Sequence, residues 1–354
     1  MTGLLERLKI DAPIIQAPMA GTSTPALAAA VSNAGALGSI AVGAMDAIEA
    51  RASIEAVRAA TNRAFNVNVF CHTPAQHDSA REQTWLEALA PTFAAYGAEP
   101  PKVLRPIYSS FVEDDAMLRA FIELRPPVVS FHFGLPGPDR ILELREAGCL
   151  LFSTATNLAE ALAAQAAGVD AVVAQGAEAG GHRGVFTPGP SDTWLGTMAL
   201  TRLLVRRLGV PAIASGGIMD GAGIAAALTL GAAAAQLGTA FIACPESSAD
   251  QAYRAALFGS GAAHTVMTSA ISGRPARCLP NRFVELGQKL DAEVPDYPIA
   301  YDAGKALNAA ARATGEGGYG AQWAGQGAPL ARALPAAALV GKLRDELREA
   351  RTAG

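Results

Sequence analysis

Short apolar runs alternate along the chain with longer stretches in which apolar residues recur at helical spacing. Continuous apolar runs are typical of parallel strands that are buried on both faces, and the longer stretches are typical of amphipathic helices. We therefore predict strands at residues 13–16, 37–40, 64–69, 128–131, 150–154, 171–175, 211–215 and 234–237.

The stretches between these runs carry the signals of helix ends. We predict helices at residues 24–33, 46–60, 138–147, 158–167, 196–208 and 221–230, with Ser23, Asn157 and Asp220 as N-caps. Glycines that suit a left-handed C-cap follow five of the helices, at Gly35, Gly148, Gly168, Gly209 and Gly231. Because strands and helices alternate in eight units, we predict an α/β protein built as a closed (β/α)8 TIM barrel.

Two segments interrupt this alternation. Residues 72–127 follow the third strand and contain two helical stretches and a proline-rich part, so we expect an insertion over the barrel mouth. Residues 247–354 contain helical and glycine-rich stretches, and we expect them to form a C-terminal helical cap on the same mouth. The barrel itself would then occupy residues 1–246.

Composition excludes several classes of function. The chain has 354 residues, 51% hydrophobic and 17% charged, with a formal net charge of −4 and no basic run, so nucleic acid is not expected as a partner. Its N-terminus lacks the layout of a signal peptide, and the apolar stretch 222–243 is broken by Gly231 and Gly238, so we expect a cytoplasmic protein without a membrane span. Cysteines and histidines lack metal-ligand spacing, and we predict no metal. We expect a monomer or a homodimer.

The strongest chemical signal is a pair of glycine loops after the last two strands, ASGGIMDG at 214–221 and QLGTAF at 236–241. Active sites of such barrels lie at the C-terminal ends of the strands, and glycine turns there let backbone N–H groups bind a phosphate. The alternative is that these are tight turns that need only a positive φ.

The residues around this phosphate site favour a flavin. No GxGxxG follows the first strand, so the phosphate belongs to a mononucleotide or to a phosphorylated substrate. The amides of Asn68 and Gln175 can bond the pyrimidine edge of an isoalloxazine, and the backbone of Pro18 and Met19 can lie against its face. We therefore expect FMN. Each residue taken alone also fits ordinary strand-end packing, and a flavin-free barrel that binds a sugar phosphate is an alternative.

Two histidines are candidates for substrate contact. His182 lies among glycines in the stretch 176–184, where we expect it to face the ligand and either to donate a hydrogen bond to an oxyanion or to take a proton from carbon. His132 ends an apolar strand, and it is either a ligand contact or a buried structural histidine.

With these residues in view, the chain resembles the class I nitronate monooxygenases, which are FMN enzymes. The resemblance covers almost the whole chain. It rests on IIQAPMAG at 14–21, FNVNVF at 65–70, SFHFGLP at 130–136, AVVAQGAEAGGHRGVF at 171–186, ASGGIMDG at 214–221, AAQLGTAF at 234–241, SGRPARCLPNRF at 272–283, YPIAYDAGKALN at 297–308 and AQWAGQGA at 321–328. One departure is Thr22, which stands where relatives commonly have a second glycine.

The resemblance implies roles for individual residues. Those implied to contact FMN are Met19, Asn68, Gln175, Gly180, Gly217, Gln236, Leu237, Gly238 and Thr239. Those implied to face the substrate are His182 as the catalytic residue, with His132, Tyr108, Tyr297, Tyr301 and Lys305.

The resemblance also implies an activity. Members of this class oxidise alkyl nitronates such as propionate 3-nitronate with O2, through an anionic flavin semiquinone, to a carbonyl compound and nitrite. A nitronate is an anion, so hydrogen-bond donors are needed, and we expect Lys305 and the tyrosines to hold a remote carboxylate. The alternative activity is that of an NAD(P)H-dependent FMN reductase acting on quinones or enoyl thioesters.

Overall fold

The computed structural model describes residues 3–189 and 192–352. Its strands are β1 (Ile14–Gln16), β2 (Gly38–Ala41), β3 (Phe65–Phe70), β4 (Val128–His132), β5 (Leu150–Ala155), β6 (Ala171–Gln175), β7 (Gly181–His182), β8 (Ala212–Ser215), β9 (Ala234–Leu237), β10 (Val266–Thr268) and β11 (Ala276–Cys278). Its α-helices are α1 (Leu4–Leu8), α2 (Pro25–Asn33), α3 (Ala47–Ala60), α4 (Ser79–Ala95), α5 (Asp115–Leu124), α6 (Pro138–Glu146), α7 (Leu158–Ala167), α8 (Thr197–Arg207), α9 (Gly221–Thr229), α10 (Thr239–Ile242), α11 (Gln251–Leu257), α12 (Arg282–Lys289), α13 (Ile299–Ala313) and α14 (Ala336–Thr352).

Eight parallel strands form the barrel, in the order β1-β9-β8-β6-β5-β4-β3-β2. A parallel bridge between Ile15 and Leu37 closes it. There the Gln16 N–H donates to the Leu37 carbonyl at 2.9 Å and the Leu37 N–H donates to the Ile14 carbonyl at 3.0 Å. The predicted (β/α)8 barrel is confirmed, and the ends of the eight predicted strands differ from the observed ends by at most one residue.

Polar side chains begin several barrel helices. Asn157 and Asp220 each accept a hydrogen bond from the first turn of α7 and α9, which confirms two predicted N-caps. The third predicted N-cap, Ser23, was wrong, because α2 is capped by Thr24. The Ser23 hydroxyl is engaged elsewhere, since it accepts from the Met19 N–H at 3.0 Å and so supports the turn after β1.

Four of the five glycines that were predicted to follow helix C-termini have the left-handed conformation. Gly35, Gly148, Gly168 and Gly231 have φ between 89° and 99°. Gly209 is not among the glycines with positive φ, and the C-cap of α8 is instead Leu208, which has an extended conformation. None of the helices in the two described ranges combines the length and the apolar character that crossing a membrane requires.

The segment 72–127 divides into two parts. α4 packs against α13, and its buried Trp85, Leu89 and Phe93 share one apolar cluster with that helix. α5 packs against α3 and α6, so it takes the usual position of the helix that follows the third barrel strand. Only the part before α5 is therefore an addition to the barrel.

The tail 247–354 also divides, which differs from the expectation of a cap over the mouth. α13 lies at the mouth, but α14 packs against α9 and α2 on the outside of the barrel. Leu339, Val340 and Leu343 recur at helical spacing and bury one face of α14, and the Glu346 carboxylate accepts from the Gly221 N–H at 3.1 Å. The division of the chain near residue 246 remains a prediction.

A second sheet holds the loop after β6. Its antiparallel strands lie in the order β10-β11-β7, and His182 in β7 pairs with Ala276 in β11. The Arg183 N–H adds a hydrogen bond to the Pro275 carbonyl at 2.8 Å. His182, expected to lie among glycines in the stretch 176–184, therefore lies on a short strand that the tail holds in place.

Two helical glycines give a matched test of how tightly the tail packs. A Cβ on Gly304 in α13 would lie 2.5 Å from the Ile271 carbonyl oxygen, whereas a Cβ on Gly341 in α14 would meet nothing within 4 Å. Because alanine favours a helix over glycine by about 1 kcal/mol, we expect Gly341→Ala to raise the free energy of unfolding by up to that amount. Gly304→Ala should lower it, since the backbone must move apart. Urea unfolding followed by circular dichroism measures both, and equal stabilisation by the two variants would contradict the close approach.

Candidate active site

A cavity of about 370 Å³ opens at the C-terminal ends of the barrel strands. Its lining includes every predicted cofactor or substrate residue except one: Met19, Asn68, Tyr108, His132, Gln175, Gly180, His182, Gly217, Gln236, Gly238, Thr239, Tyr297, Tyr301 and Lys305. The exception is Leu237, whose buried side chain belongs to the apolar cluster of Ile14 and Phe241. Residues far apart in the chain thus meet at one site.

The two glycine loops form one wall of the cavity. Gly216 and Gly217 have φ of 127° and 68°, a conformation that side chains rarely adopt. Within the described ranges, the N–H groups of Gly217, Gly238 and Thr239 donate to no other part of the chain. These N–H groups are therefore available to bind an anion.

The tail covers this wall closely. The Gly325 N–H donates to the Thr239 hydroxyl at 2.9 Å, and a Cβ on Gly325 would lie 2.6 Å from the Glu178 carbonyl oxygen. A Cβ on Gly327 would lie 2.5 Å from Met219 Cγ. Both glycines belong to the stretch AQWAGQGA at 321–328, and they are the sequence signal of this contact.

The two amides of the site are used differently. Asn68 Nδ2 donates to the carbonyl and the hydroxyl of Ser130, both at 3.0 Å, so its Oδ1 remains as an acceptor. Gln175 Nε2 donates to the His182 carbonyl at 3.1 Å, and its Oε1 accepts from the Gly184 N–H at 2.7 Å. Gln175 therefore mainly holds the backbone around His182, a role that the sequence did not predict.

His132 also supports His182. Its Nδ1 lies 3.0 Å from the Thr154 hydroxyl, and its Nε2 lies 3.3 Å from the His182 carbonyl. A carbonyl only accepts, so Nε2 carries the proton. Burial lowers the pKa of His132 to about 4, with the Arg274 charge adding to the effect. Of the two roles left open, this geometry supports the structural one.

His182 lies at the centre of an aromatic wall. Its ring centroid is 5.3 Å from that of Tyr297 and 5.0 Å from that of Trp323, a residue that was not predicted to be part of the site. Nε2 lies 2.9 Å from the Ser272 hydroxyl. Burial lowers the pKa of His182 to about 3, and neighbouring His132 and Arg274 contribute, so the ring is neutral.

The same aromatic wall continues from His182 through three phenols to one ammonium. Lys305 Nζ lies 4.9 Å from the Tyr108 ring centroid and 5.5 Å from that of Tyr301. Burial lowers the pKa of Lys305, while Asp302 opposes the shift. The Tyr297 hydroxyl is buried without a hydrogen-bond partner in the described chain, and burial raises its pKa well above 10. It is therefore a protonated donor to which no described residue offers an acceptor.

A second cation lies behind the aromatic wall. Arg274 is buried, its guanidinium is 4.3 Å from the Phe133 ring centroid, and it donates to the carbonyls of Val185 and Phe186. Burial lowers the pKa of Arg274 to about 10, which leaves it charged at neutral pH. Neither Ser272 nor Arg274 was predicted to be part of the site, although both lie in the stretch SGRPARCLPNRF at 272–283.

Comparison with known proteins agrees with this site. The family model described as "Nitronate monooxygenase" matches residues 2–346. A nitronate monooxygenase of Paraburkholderia phytofirmans is 63% identical over 98% of this chain and 95% of its own length. One of Pseudomonas aeruginosa is 57% identical over 96% of this chain and 97% of its own length.

A solved structure of nitroalkane oxidase from Streptomyces ansochromogenes is also similar. It superposes with a TM-score of 0.90 at 42% identity, covering 97% of this chain and 98% of that one. Fold, site geometry and sequence similarity over nearly the full length lead to one conclusion: the chain belongs to the nitronate monooxygenase family, and it is an oxidoreductase.

Proposed function

We propose that this chain is an FMN-dependent nitronate monooxygenase that converts an alkyl nitronate and O2 to a carbonyl compound and nitrite. We further propose that its nitronate carries a remote carboxylate, as propionate 3-nitronate does. The observation that carries the proposal is the charge of the cavity. Lys305 is a lining residue, and no Asp or Glu is found among the described residues that line it. Such a cavity favours an anion.

The residues present fit FMN. The free N–H groups of Gly217, Gly238 and Thr239 suit a phosphate. Asn68 Oδ1 is an acceptor at the cavity wall and suits the N3–H of the pyrimidine edge. When bound, FMN supplies the electron acceptor for oxidation of the nitronate.

The chain's own groups bind and orient the substrate anion. The Tyr297 hydroxyl is a buried donor with no acceptor among the described residues, so it is available to an oxygen of the ligand. The Lys305 ammonium, lying against the rings of Tyr108 and Tyr301, suits a carboxylate at the far end of the substrate. His182, held by Gln175 and Ser272, positions the reacting end.

We extend the proposal to the setting of the enzyme. The four cysteines lie buried as free thiols, which is the usual state in a reducing compartment, and this supports a cytoplasmic location. A monomer or homodimer remains a prediction.

His182→Asn tests the positioning role. We expect the variant to retain FMN but to lose at least about tenfold in kcat/KM with propionate 3-nitronate, because a contact worth more than 1.4 kcal/mol is removed. His264→Asn, at an exposed position outside the cavity, is the matched control and should be unaffected. Unchanged turnover and KM in His182→Asn with FMN still bound would show that His182 has no such role.

Lys305→Met tests recognition of the carboxylate. A hydrogen bond to a charged group contributes about 1.5–3 kcal/mol, so we expect kcat/KM to fall by about 10- to 100-fold for propionate 3-nitronate and by much less for ethyl nitronate. Lys102→Met, an exposed lysine that does not line the cavity, is the control. Equal losses with both nitronates would refute carboxylate binding at Lys305 while leaving the monooxygenase activity itself intact.

A further inference from the structure

The His182 ring has one hydrogen-bond partner within the described ranges. Its Nε2 lies 2.9 Å from the hydroxyl of Ser272, a residue with no exposed surface. That hydroxyl in turn donates to the Arg274 carbonyl at 3.2 Å. A hydroxyl has a single proton. While this proton is donated to Arg274, Ser272 can only accept from His182, so the proton between the two side chains belongs to Nε2.

The other ring nitrogen then carries a lone pair. Burial keeps His182 neutral, and a neutral imidazole has one N–H. Nδ1 is not among the buried unpartnered atoms of the described residues, and His182 lines the cavity. Nδ1 is therefore the nitrogen that a ligand meets, and it meets the ligand as an acceptor.

The turn that carries Ser272 has little freedom to move. Gly273 has φ of 88°, and a Cβ there would lie 2.4 Å from the Pro295 carbonyl oxygen. On the other side, the Arg277 guanidinium donates twice to the Ala177 carbonyl, at 2.9 and 3.1 Å. These contacts hold the Ser272 hydroxyl at a fixed place behind the His182 ring.

We propose that Ser272 is a positioning residue that sets the tautomer of His182, so that the proton is on Nε2 and a bare Nδ1 faces the cavity. The role in turnover rests on the proposed nitronate monooxygenase function. Of the two roles expected of His182, donation to an oxyanion or acceptance of a proton from carbon, a bare Nδ1 is compatible only with the second. The nitronate oxygens instead take their hydrogen bonds from donors such as the Tyr297 hydroxyl, on a ring 5.3 Å from that of His182.

The tautomer can be measured directly on the FMN-loaded protein. With ¹⁵N-labelled histidine rings, long-range ¹H–¹⁵N spectra at neutral pH identify which nitrogen is protonated, and the spectrum of His182→Asn assigns the signals. We expect the proton on Nε2 and a bare Nδ1. A proton on Nδ1 would overturn the proposal. The result is independent of nitronate turnover, so a chain with the expected tautomer but no such activity would refute the proposed function alone.

Ser272→Thr and Ser272→Val form a matched pair, since the side chains have the same shape and differ in the hydroxyl. We expect Ser272→Thr to keep the Nε2–H tautomer and Ser272→Val to lose it, with kcat/KM differing between the two variants by about tenfold or more. When each substitution is combined with His182→Asn, the two double variants should have equal kcat/KM, because Ser272 acts through His182. Retention of the tautomer in Ser272→Val, or an equal difference in both backgrounds, would overturn the role. If the buried methyl prevents folding, Ser272→Ala and the spectrum of the unsubstituted protein decide the question.

Discussion

The pairing of β7 with β11 is the constraint on which the site depends. β7 has two residues and could not persist alone, because it needs the tail strand to satisfy its backbone. The same tail segment places the Ser272 hydroxyl against the His182 ring, while Gln175 and His132 both direct a side-chain nitrogen at the His182 carbonyl. The catalytic candidate is thus held from the barrel side and from the tail side.

The positive charge at the cavity also depends on the tail. The tail brings Lys305 to the mouth and buries Arg274 behind Phe133, and the described lining of the cavity has no carboxylate to offset them. A buried cation over an aromatic face is stabilised by about 2 kcal/mol or more. It also disfavours protonation of the nearby imidazoles. The cavity is therefore suited to an anion, with neutral His182 beside it.

The sequence predicted those elements that are determined by residues close together in the chain. Apolar runs placed all eight barrel strands, and Asp220 and Asn157 marked helix starts, because those signals lie within a few residues of the element they define. The β7–β11 pairing and the outside position of α14 could not be read from the sequence, since each depends on contacts between distant segments. Gln175 was expected to hydrogen-bond a flavin. Residue type alone could not show that its amide nitrogen donates instead to the His182 carbonyl.

The most direct test of the account is a visible spectrum of the purified protein before and after addition of propionate 3-nitronate under argon, with NADH added to a parallel sample. We expect flavin absorption that the nitronate bleaches and that NADH changes little. A colourless protein that does not take up FMN, or a flavin that NADH bleaches rapidly and the nitronate leaves unchanged, would contradict it.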